Sequence, residues 1–476
     1  MPTHPLIALK HHDAHSEQMK LHRLEIKGLY GFMDKTISFH RKLNLLVGIN
    51  GSGKTSVLNV ISWLMQPNFP ELCTTEFKQL RLFFAYEGNT HIITCNQTDD
   101  KIQIIVSING AQQHPISVAL RVPAAYLANN SNAKESFNAL YEKIQPQSQE
   151  THTWMYFSRL PNPIIVSIDR KFDHKSEKSN EQRFKKSVAL HSSSLEIVKA
   201  YSNEAYTRYN KKVIDLNKVL RDKILLSSFE SSVIDFRGTS GSENKLSVED
   251  VNRLEVNIIN FLEDDSSDKE MSQTLKKAIR KYSSDMRTII NDYFSLRQST
   301  DSKSGRERRI APIATSYLIN SNQFVRIEKL LKAFSKYEQD SNESYQEIST
   351  YLKSINHFLK DSSKELFFKK ETGQLYFNLR DRNNKEFKFE QNIDNLSSGE
   401  KQILMLFTYL AFGDTKGKIF IIDEPEISLH PKWQDDFLQQ LNNVTPSDTQ
   451  LVIATHSPSI VGDLEENCKV LLPYNE

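Results

Sequence analysis

Eight consecutive residues, Gly48-Ile49-Asn50-Gly51-Ser52-Gly53-Lys54-Thr55, fit the pattern G-x-x-x-x-G-K-[ST]. Glycines in such a loop let backbone N–H groups curl around phosphate oxygens, and the helix that follows aims the positive end of its dipole at them. The Lys54 ammonium suits the β- and γ-phosphates of a nucleoside triphosphate, and the Thr55 hydroxyl can occupy one position on Mg²⁺. Gly48, Asn50, Gly51, Ser52, Gly53, Lys54, Thr55 and Ser56 are therefore the residues expected around the phosphates. A chance glycine turn accounts poorly for this pattern in a chain with only 15 glycines among 476 residues.

A second constellation lies far along the chain. The run from Lys418 through Ile422 is continuously apolar after its lysine, as in the middle of a parallel sheet, and ends in Asp423 and Glu424. At a strand's carboxyl end Asp423 can hold Mg²⁺, directly or through water, and Glu424 can orient and polarise an attacking water. Alone, such a carboxylate pair reads as a strand stop; with a phosphate loop in the same chain it reads as catalytic. Leu396-Ser397-Ser398-Gly399-Glu400-Lys401-Gln402 precedes an apolar helix, so Ser397 and Gly399 sit at a second anion-binding helix start, or at a plain N-cap.

These motifs need elements to carry them. An apolar β-type run, Leu43 to Val47, leads into the loop, and Val57, Val60, Ile61 and Leu64 share one face of a helix behind it. Strand, turn and strand are expected over residues 21–39. Leu82–Ala85, His91–Cys95 and Ile102–Val106 form an antiparallel lobe beside the nucleotide, and Ile164–Ile168 is a buried strand. Further strands are expected at Leu366–Lys369, Gln374–Leu379, Glu386–Phe389 and Gln450–Ala454, and a helix at Trp433–Leu441. Between about 195 and 359 the apolar spacing is helical. Tyr209–Ile224, Met271–Ile289 and Tyr345–Leu359 give three stripes, and Ser247 with Asp250 suggests a capping box. Glycine–serine breakers at Gly238–Gly241 and Ser299–Gly305 imply a bundle of ordinary bulk rather than long helices. The expected plan is an α/β head, a mixed sheet with an antiparallel lobe and a phosphate-loop core, split by a helical insertion. Its parts are a polar extension over 1–19, head over 20–172, insertion over 173–362 and head again over 363–476.

Bulk properties narrow the class. Charged residues make up 25% and hydrophobic ones 38%, which suits a soluble globular protein. No stretch reaches the roughly 18 apolar residues of a membrane span, so no membrane association is expected. Cys73, Cys95 and Cys468 have no metal-ligand spacing and point to a reducing, cytoplasmic setting. His4, His11, His12 and His15 lie in a polar leader without an apolar core, unlike a signal peptide. With net charge +2, any nucleic-acid contact must come from local clusters such as Arg306–Arg309 or the basic segment Arg170–Lys186.

Taken together, the phosphate loop, the LSSGEKQ stretch, the Asp423–Glu424 strand, Glu424-Pro-Glu-Ile-Ser-Leu-His-Pro431 and Thr455-His456-Ser457-Pro458 resemble ABC-type ATPases of the SMC-like and OLD-like branch. The resemblance covers about 19–106 and 366–472. It implies ATP and Mg²⁺ as cofactors and a homodimer of heads or a larger even-numbered homo-oligomer. Ser397 and Gly399 of one copy would then cap the γ-phosphate held by the other. It also implies a dimer-facing loop at Ile427–His430 and a γ-phosphate-sensing His456. Two departures stand out: Gly28-Leu29-Tyr30-Gly31-Phe32 has Tyr30 where the family often has a cation, and Ser398 and Glu400 replace a glycine and a glutamine of the signature. For the family's Q-loop the candidates are Asp169 and Arg170.

Only 20 residues follow His456, too few for the Toprim nuclease domain of OLD-like nucleases, so no nuclease centre of its own is expected. A stand-alone head of this size is similar to the PtuA family of Septu anti-phage systems. That likeness implies a partner HNH nuclease, PtuB, that cleaves DNA, with ATP turnover that is slow or mainly regulatory. Two other classes remain open: a RecF-like clamp on duplex DNA, marked by steeply salt-dependent affinity, and a transporter's nucleotide-binding subunit. In every one of these readings Lys54→Ala abolishes ATP binding, measured by titration with a fluorescent ATP analogue. Binding that survives the change removes the phosphate-loop assignment.

Overall fold

The structure, a computed structural model, describes residues 18–127, 130–166, 194–229, 246–264, 269–298, 303–380 and 386–473. The histidine-bearing leader, Asp169, Arg170, the segment to Lys186 and Gly238–Gly241 lie outside the described residues, as do the side chains of Arg306–Arg309. The chain begins with β1 (Lys20–Leu29), β2 (Met33–Ser38), β3 (Leu43–Val47), α1 (Lys54–Met65) and α2 (Phe69–Thr74). Next come β4 (Gln79–Tyr86), β5 (Asn89–Gln97), β6 (Lys101–Ile108), β7 (Ala111–Gln112), β8 (Ile116–Ala119), α3 (Ala124–Leu127), α4 (Ser131–Tyr141), α5 (Thr151–Arg159) and β9 (Ile164–Val166). Long helices follow: α6 (Ser194–Phe229), α7 (Val248–Asp264), α8 (Lys269–Gln298) and α9 (Lys303–Leu359). The chain closes with β10 (Lys364–Phe368), β11 (Leu375–Arg380), β12 (Glu386–Asn392), α10 (Ser398–Phe412), β13 (Ile419–Asp423), α11 (Pro431–Val444), β14 (Gln450–Thr455), α12 (Pro458–Val461) and β15 (Cys468–Val470).

Two sheets sandwich α1. The first is antiparallel, in the order β2-β1-β4-β5-β6-β7 with β8 also on β6. Alternation in its strands turns Leu24, Ile26, Leu80, Leu82, Ile93, Ile104 and Val106 to one face, which is buried. The second is parallel among its described strands, in the order β15-β3-β14-β13-β9. Every residue of β13 and β14 is buried, as their unbroken apolar runs require of strands covered on both faces. Helix α1 is buried nearly all round rather than along one stripe: Val57, Leu58, Val60, Ile61, Trp63, Leu64 and Met65 all join the core shared with both sheets. On the far side of the parallel sheet α10 and α11 pack through Tyr409–Phe420 and Phe407–Phe437, with ring centroids 6.2 and 6.4 Å apart.

The described residues gather into two compact units, one drawn from Met1–Tyr206 and Glu347–Glu476, the other Thr207–Gln346. The second unit has its own core of Leu246, Val251, Leu254, Met286, Ile290, Tyr317 and Phe324, with Tyr293 stacked on Tyr317 at 4.3 Å. Its α7 starts with the expected capping box: Asp250 N–H donates to the Ser247 hydroxyl at 3.1 Å, and Ser247 N–H donates to the Asp250 carboxylate, also at 3.1 Å.

The helices correct the reading of short, interrupted stripes. α6 has 36 residues, α8 has 30 and α9 has 57, about 85 Å at 1.5 Å per residue. The Ser299–Gly305 breaker falls where α8 ends, at Gln298, and α9 begins, at Lys303, whereas Pro312 lies inside α9. A long amphipathic face outweighs the local cost of one proline, about 3 kcal/mol. The last stripe also belongs to the head: Tyr351 packs on Phe412 at 4.5 Å and its hydroxyl meets Thr408 Oγ1 at 2.7 Å. Helices α3–α5 and strand β15 carry no clear periodic signal, and sequence reasoning missed them. Because β13 is fully buried between β14 and β9 in the parallel sheet, Ile421→Ala is expected to cost about 2–5 kcal/mol, read as a lower urea midpoint at unchanged slope.

Candidate active site

Three neighbouring parallel strands deliver the site. β3 ends at Val47, opposite Thr455 of β14, and Ala454 of β14 stands opposite Asp423, the last residue of β13. The loop, the switch segment and the acidic pair therefore leave the same sheet edge side by side, strands about 4.8 Å apart. The crossing order matters, because β14 lies between the loop strand and the acidic strand. Asp423 reaches back across it to the start of α1, where its Oδ2 accepts a 2.9 Å hydrogen bond from the Thr55 hydroxyl.

The loop is closely packed where its glycines lie. A side chain at Gly53, whose φ is 91°, would meet the Met33 sulfur at 2.7 Å, and one at Gly48 would meet the Leu471 carbonyl at 2.6 Å. Those contacts dock the loop against the β1–β2 hairpin on one side and the chain beyond β15 on the other. Lys54 is buried and its ammonium donates to Gly48 O at 2.8 Å and Ile49 O at 3.2 Å, so the loop curls around a fixed positive charge. Ser52 is buried, Ser56 half-buried, and Asn50, Gly51 and Thr55 face solvent. Tyr30, in the turn that departs from the family pattern, has a left-handed backbone (φ 56°) and donates its N–H to Glu76 O at 2.7 Å.

Asp423 is 6% exposed, and its Oδ1 is buried without a hydrogen-bond partner. Burial pushes its pKa above the ordinary aspartate value, and the Glu424 and Glu426 charges add to this, against the Thr55 hydroxyl and Lys54. A buried carboxylate with one orphaned oxygen and a threonine hydroxyl on the other is a donor set that fits a hard divalent cation. Among the described residues no group of three or more His, Cys, Asp or Glu could hold a metal by itself. Mg²⁺ at this site would thus rest on Thr55, Asp423 and phosphate oxygens, where it neutralises charge on the phosphoryl group.

Glu424 sits just past the strand with φ 48° and ψ 58°, a left-handed backbone unusual for a residue with a side chain. Its N–H donates to Ala454 O at 2.8 Å, which holds the strained turn against β14. Glu426, two residues on, was not singled out by sequence reasoning, yet it organises the switch segment. It is 7% exposed, and its Oε1 accepts from Thr455 Oγ1 at 2.8 Å and from His456 N–H at 2.6 Å, and lies 2.9 Å from His456 Nδ1. The only advance signal was a second acid two residues after Glu424, which a loop position made easy to pass over. Ser457 Oγ donates to Gln434 Oε1 at 2.6 Å, tying the same segment to α11.

Ser397 and Gly399 are placed differently. Ser397 caps α10 in a capping box: its N–H donates to Glu400 Oε2 at 2.7 Å, and Glu400 N–H reaches its hydroxyl at 3.4 Å. Ser397 and Ser398 are exposed, and among the described residues no hydrogen bond joins them to the phosphate loop. Glu400 itself is 3% exposed. Burial alone would raise its pKa, but hydrogen bonds from Lys364, Ser362 and the Ser397 backbone outweigh it and hold the carboxylate below its ordinary value.

Fold and site together define a P-loop ATPase with a mixed α/β head and a helical insertion. The chain belongs to the AAA ATPase domain family, whose model matches residues 19–461; it is an ATP-binding, Mg²⁺-using ATPase. It is also similar to the Retron Vc95 probable ATPase of Vibrio cholerae serotype O1 biovar El Tor, 32% identical over 111 residues. That match takes in 18% of this chain and spans only 20% of the relative's length. Among solved structures it resembles the Smc head domain with an extended coiled coil from Pyrococcus furiosus, bound there to the C-terminal domain of ScpA. The TM-score is 0.33 and the identity 13%, over 93% of this chain and 91% of that one. Among the described residues no helix is long and apolar enough to cross a membrane.

If Glu426 orients His456, Glu426→Ala keeps ATP binding but lowers turnover by about tenfold or more, compared by nucleotide titration and phosphate release. Equal loss in both measurements removes that role.

Proposed function

We propose that this chain is the ATPase subunit of an anti-phage defence complex, in which two heads close around ATP and thereby regulate a partner HNH nuclease that cleaves DNA. The observation that carries the closure is the division of the site. Lys54, Thr55, Asp423, Glu424, Glu426 and His456 converge on one sheet edge, while Ser397–Gly399 begins a helix whose tip faces solvent and, among the described residues, has no hydrogen bond to that cluster. A second copy can supply the missing anion-binding helix start. Apolar Ile49, 66% exposed, and Ile427, 54% exposed, flank the phosphate loop and the acidic turn, where a second head would cover them.

Within each half-site the residues divide the work. Lys54 brings fixed positive charge to the phosphates. The Glu424 carboxylate accepts the proton of the attacking water. His456 Nδ1 lies against Glu426, which leaves Nε2 to face the γ-phosphate. Ser397 and Gly399 of the second copy cap the same phosphate through hydroxyl and backbone N–H groups. Turnover that waits on closure is slow by construction, which suits a regulatory use of ATP. The partner nuclease rests on the motif likeness to the PtuA family, and the similarity to the Retron Vc95 probable ATPase supports the ATPase part of the reading.

Glu424→Gln is expected to bind ATP with Mg²⁺ and accumulate as closed dimers by size-exclusion chromatography with light scattering. Adding Ser397→Arg returns it to monomers with ATP binding kept. If the double variant still closes and the Ser397→Arg single variant still turns over, the shared-site reading is wrong. The partner reading fails if a co-expressed HNH nuclease neither co-purifies nor changes its DNA cleavage on Lys54→Ala.

A further inference from the structure

The segment His357–Lys364, which closes α9 and opens β10, bonds to both helices whose tips carry the exposed motifs. Toward α10, Lys364 Nζ donates to Glu400 Oε2 at 2.8 Å and Oε1 at 3.0 Å, and Ser362 Oγ donates to Oε1 at 2.7 Å. Toward α11, Asp361 accepts from Lys432 Nζ at 2.6 Å and from Trp433 Nε1 at 3.1 Å, and His357 Nε2 meets Asp436 at 2.7 Å. Phe358 lies between the two, its ring 5.7 Å from Phe407 and 5.8 Å from Trp433.

The grip on Glu400 is unusual for a capping box. The acid at the third helical position normally sits in water, free to bond or release the cap. Here the carboxylate is buried, and the Lys364 side chain that neutralises it is only 17% exposed. One oxygen of this anchored carboxylate holds the Ser397 N–H at 2.7 Å. The direction of the Ser397 hydroxyl and of the Gly399 N–H therefore follows wherever Lys364 and Ser362 hold Glu400.

We infer that Lys364 is a positioning residue for the signature segment: through Glu400 it sets the direction in which Ser397 and Gly399 are offered to the nucleotide of a second copy. Asp361 does the same for the segment ahead of α11, so one eight-residue turn sets both exposed tips. This inference rests on the shared-site reading above. It differs from a plain packing role, because a buried ion pair that only stabilised the fold would affect stability and own-site binding without singling out closure.

The test uses full-length protein in the Glu424→Gln background. Lys364→Met is expected to leave ATP affinity within about twofold while raising the dimer dissociation constant about tenfold or more, by analytical ultracentrifugation with ATP and Mg²⁺. Lys364→Arg restores most of the closure, and Glu400→Gln with Lys364→Met is no worse than Lys364→Met alone. Ser362→Ala, which removes one donor and keeps the ion pair, falls between parent and Lys364→Met. Closure by Lys364→Met equal to the parent overturns the inference and leaves the shared site standing. So does a loss of ATP binding as large as the loss of closure. A Glu424→Gln parent that never dimerises overturns the shared site and the inference together.

Discussion

The hydrogen bond from the Thr55 hydroxyl to Asp423 joins two stretches that are 368 residues apart in the chain. It depends on a buried carboxylate, and that carboxylate depends in turn on the parallel sheet. Only with β3, β14 and β13 adjacent and in register do the phosphate loop, the Thr455–His456 segment and the acidic pair leave one edge together. The burial that raises the Asp423 pKa also leaves its second oxygen without a hydrogen-bond partner, a donor set that fits a hard divalent cation.

Around this bond the fold distributes two kinds of acid. Asp423 and Glu424 end the acidic strand beside the phosphate loop, while Glu426 and Glu400 act on other protein groups. Glu426 gathers the Thr455 hydroxyl, the His456 N–H and the His456 ring on one oxygen, which fixes the imidazole against the acidic turn. Glu400 is fixed by Lys364 and Ser362 and in turn fixes the helix start at Ser397. Glu400 has one local partner, the Ser397 cap, but each acid is also held by residues that arrive from another element, and that part of its role becomes visible only after folding.

The helical part shows the opposite failure of local reasoning. Pro312 costs about 3 kcal/mol locally, yet it is carried inside α9, which gains along its whole length. The apolar stripe through Tyr345, Ile348, Leu352, Ile355 and Leu359 was legible as helix; that the neighbouring Tyr351 packs on α10 of the head was not, because a stripe says nothing about what covers it.

What the sequence by itself determined is the local chemistry: a phosphate loop with its lysine and threonine, a buried strand ending in two acids, a capped helix start at Ser397, and the alternation that builds the antiparallel sheet. These follow from short-range rules of backbone geometry, hydrogen bonding and period, which need no partner segment. Tertiary structure alone decided that Asp423 reaches Thr55 across an intervening strand, that Glu426 rather than solvent meets His456, and that Lys364 anchors the carboxylate behind Ser397. Those are contacts between distant residues, and they are set by strand order and by burial, which raises the cost of every unpaired charge until a partner from elsewhere in the chain is in place.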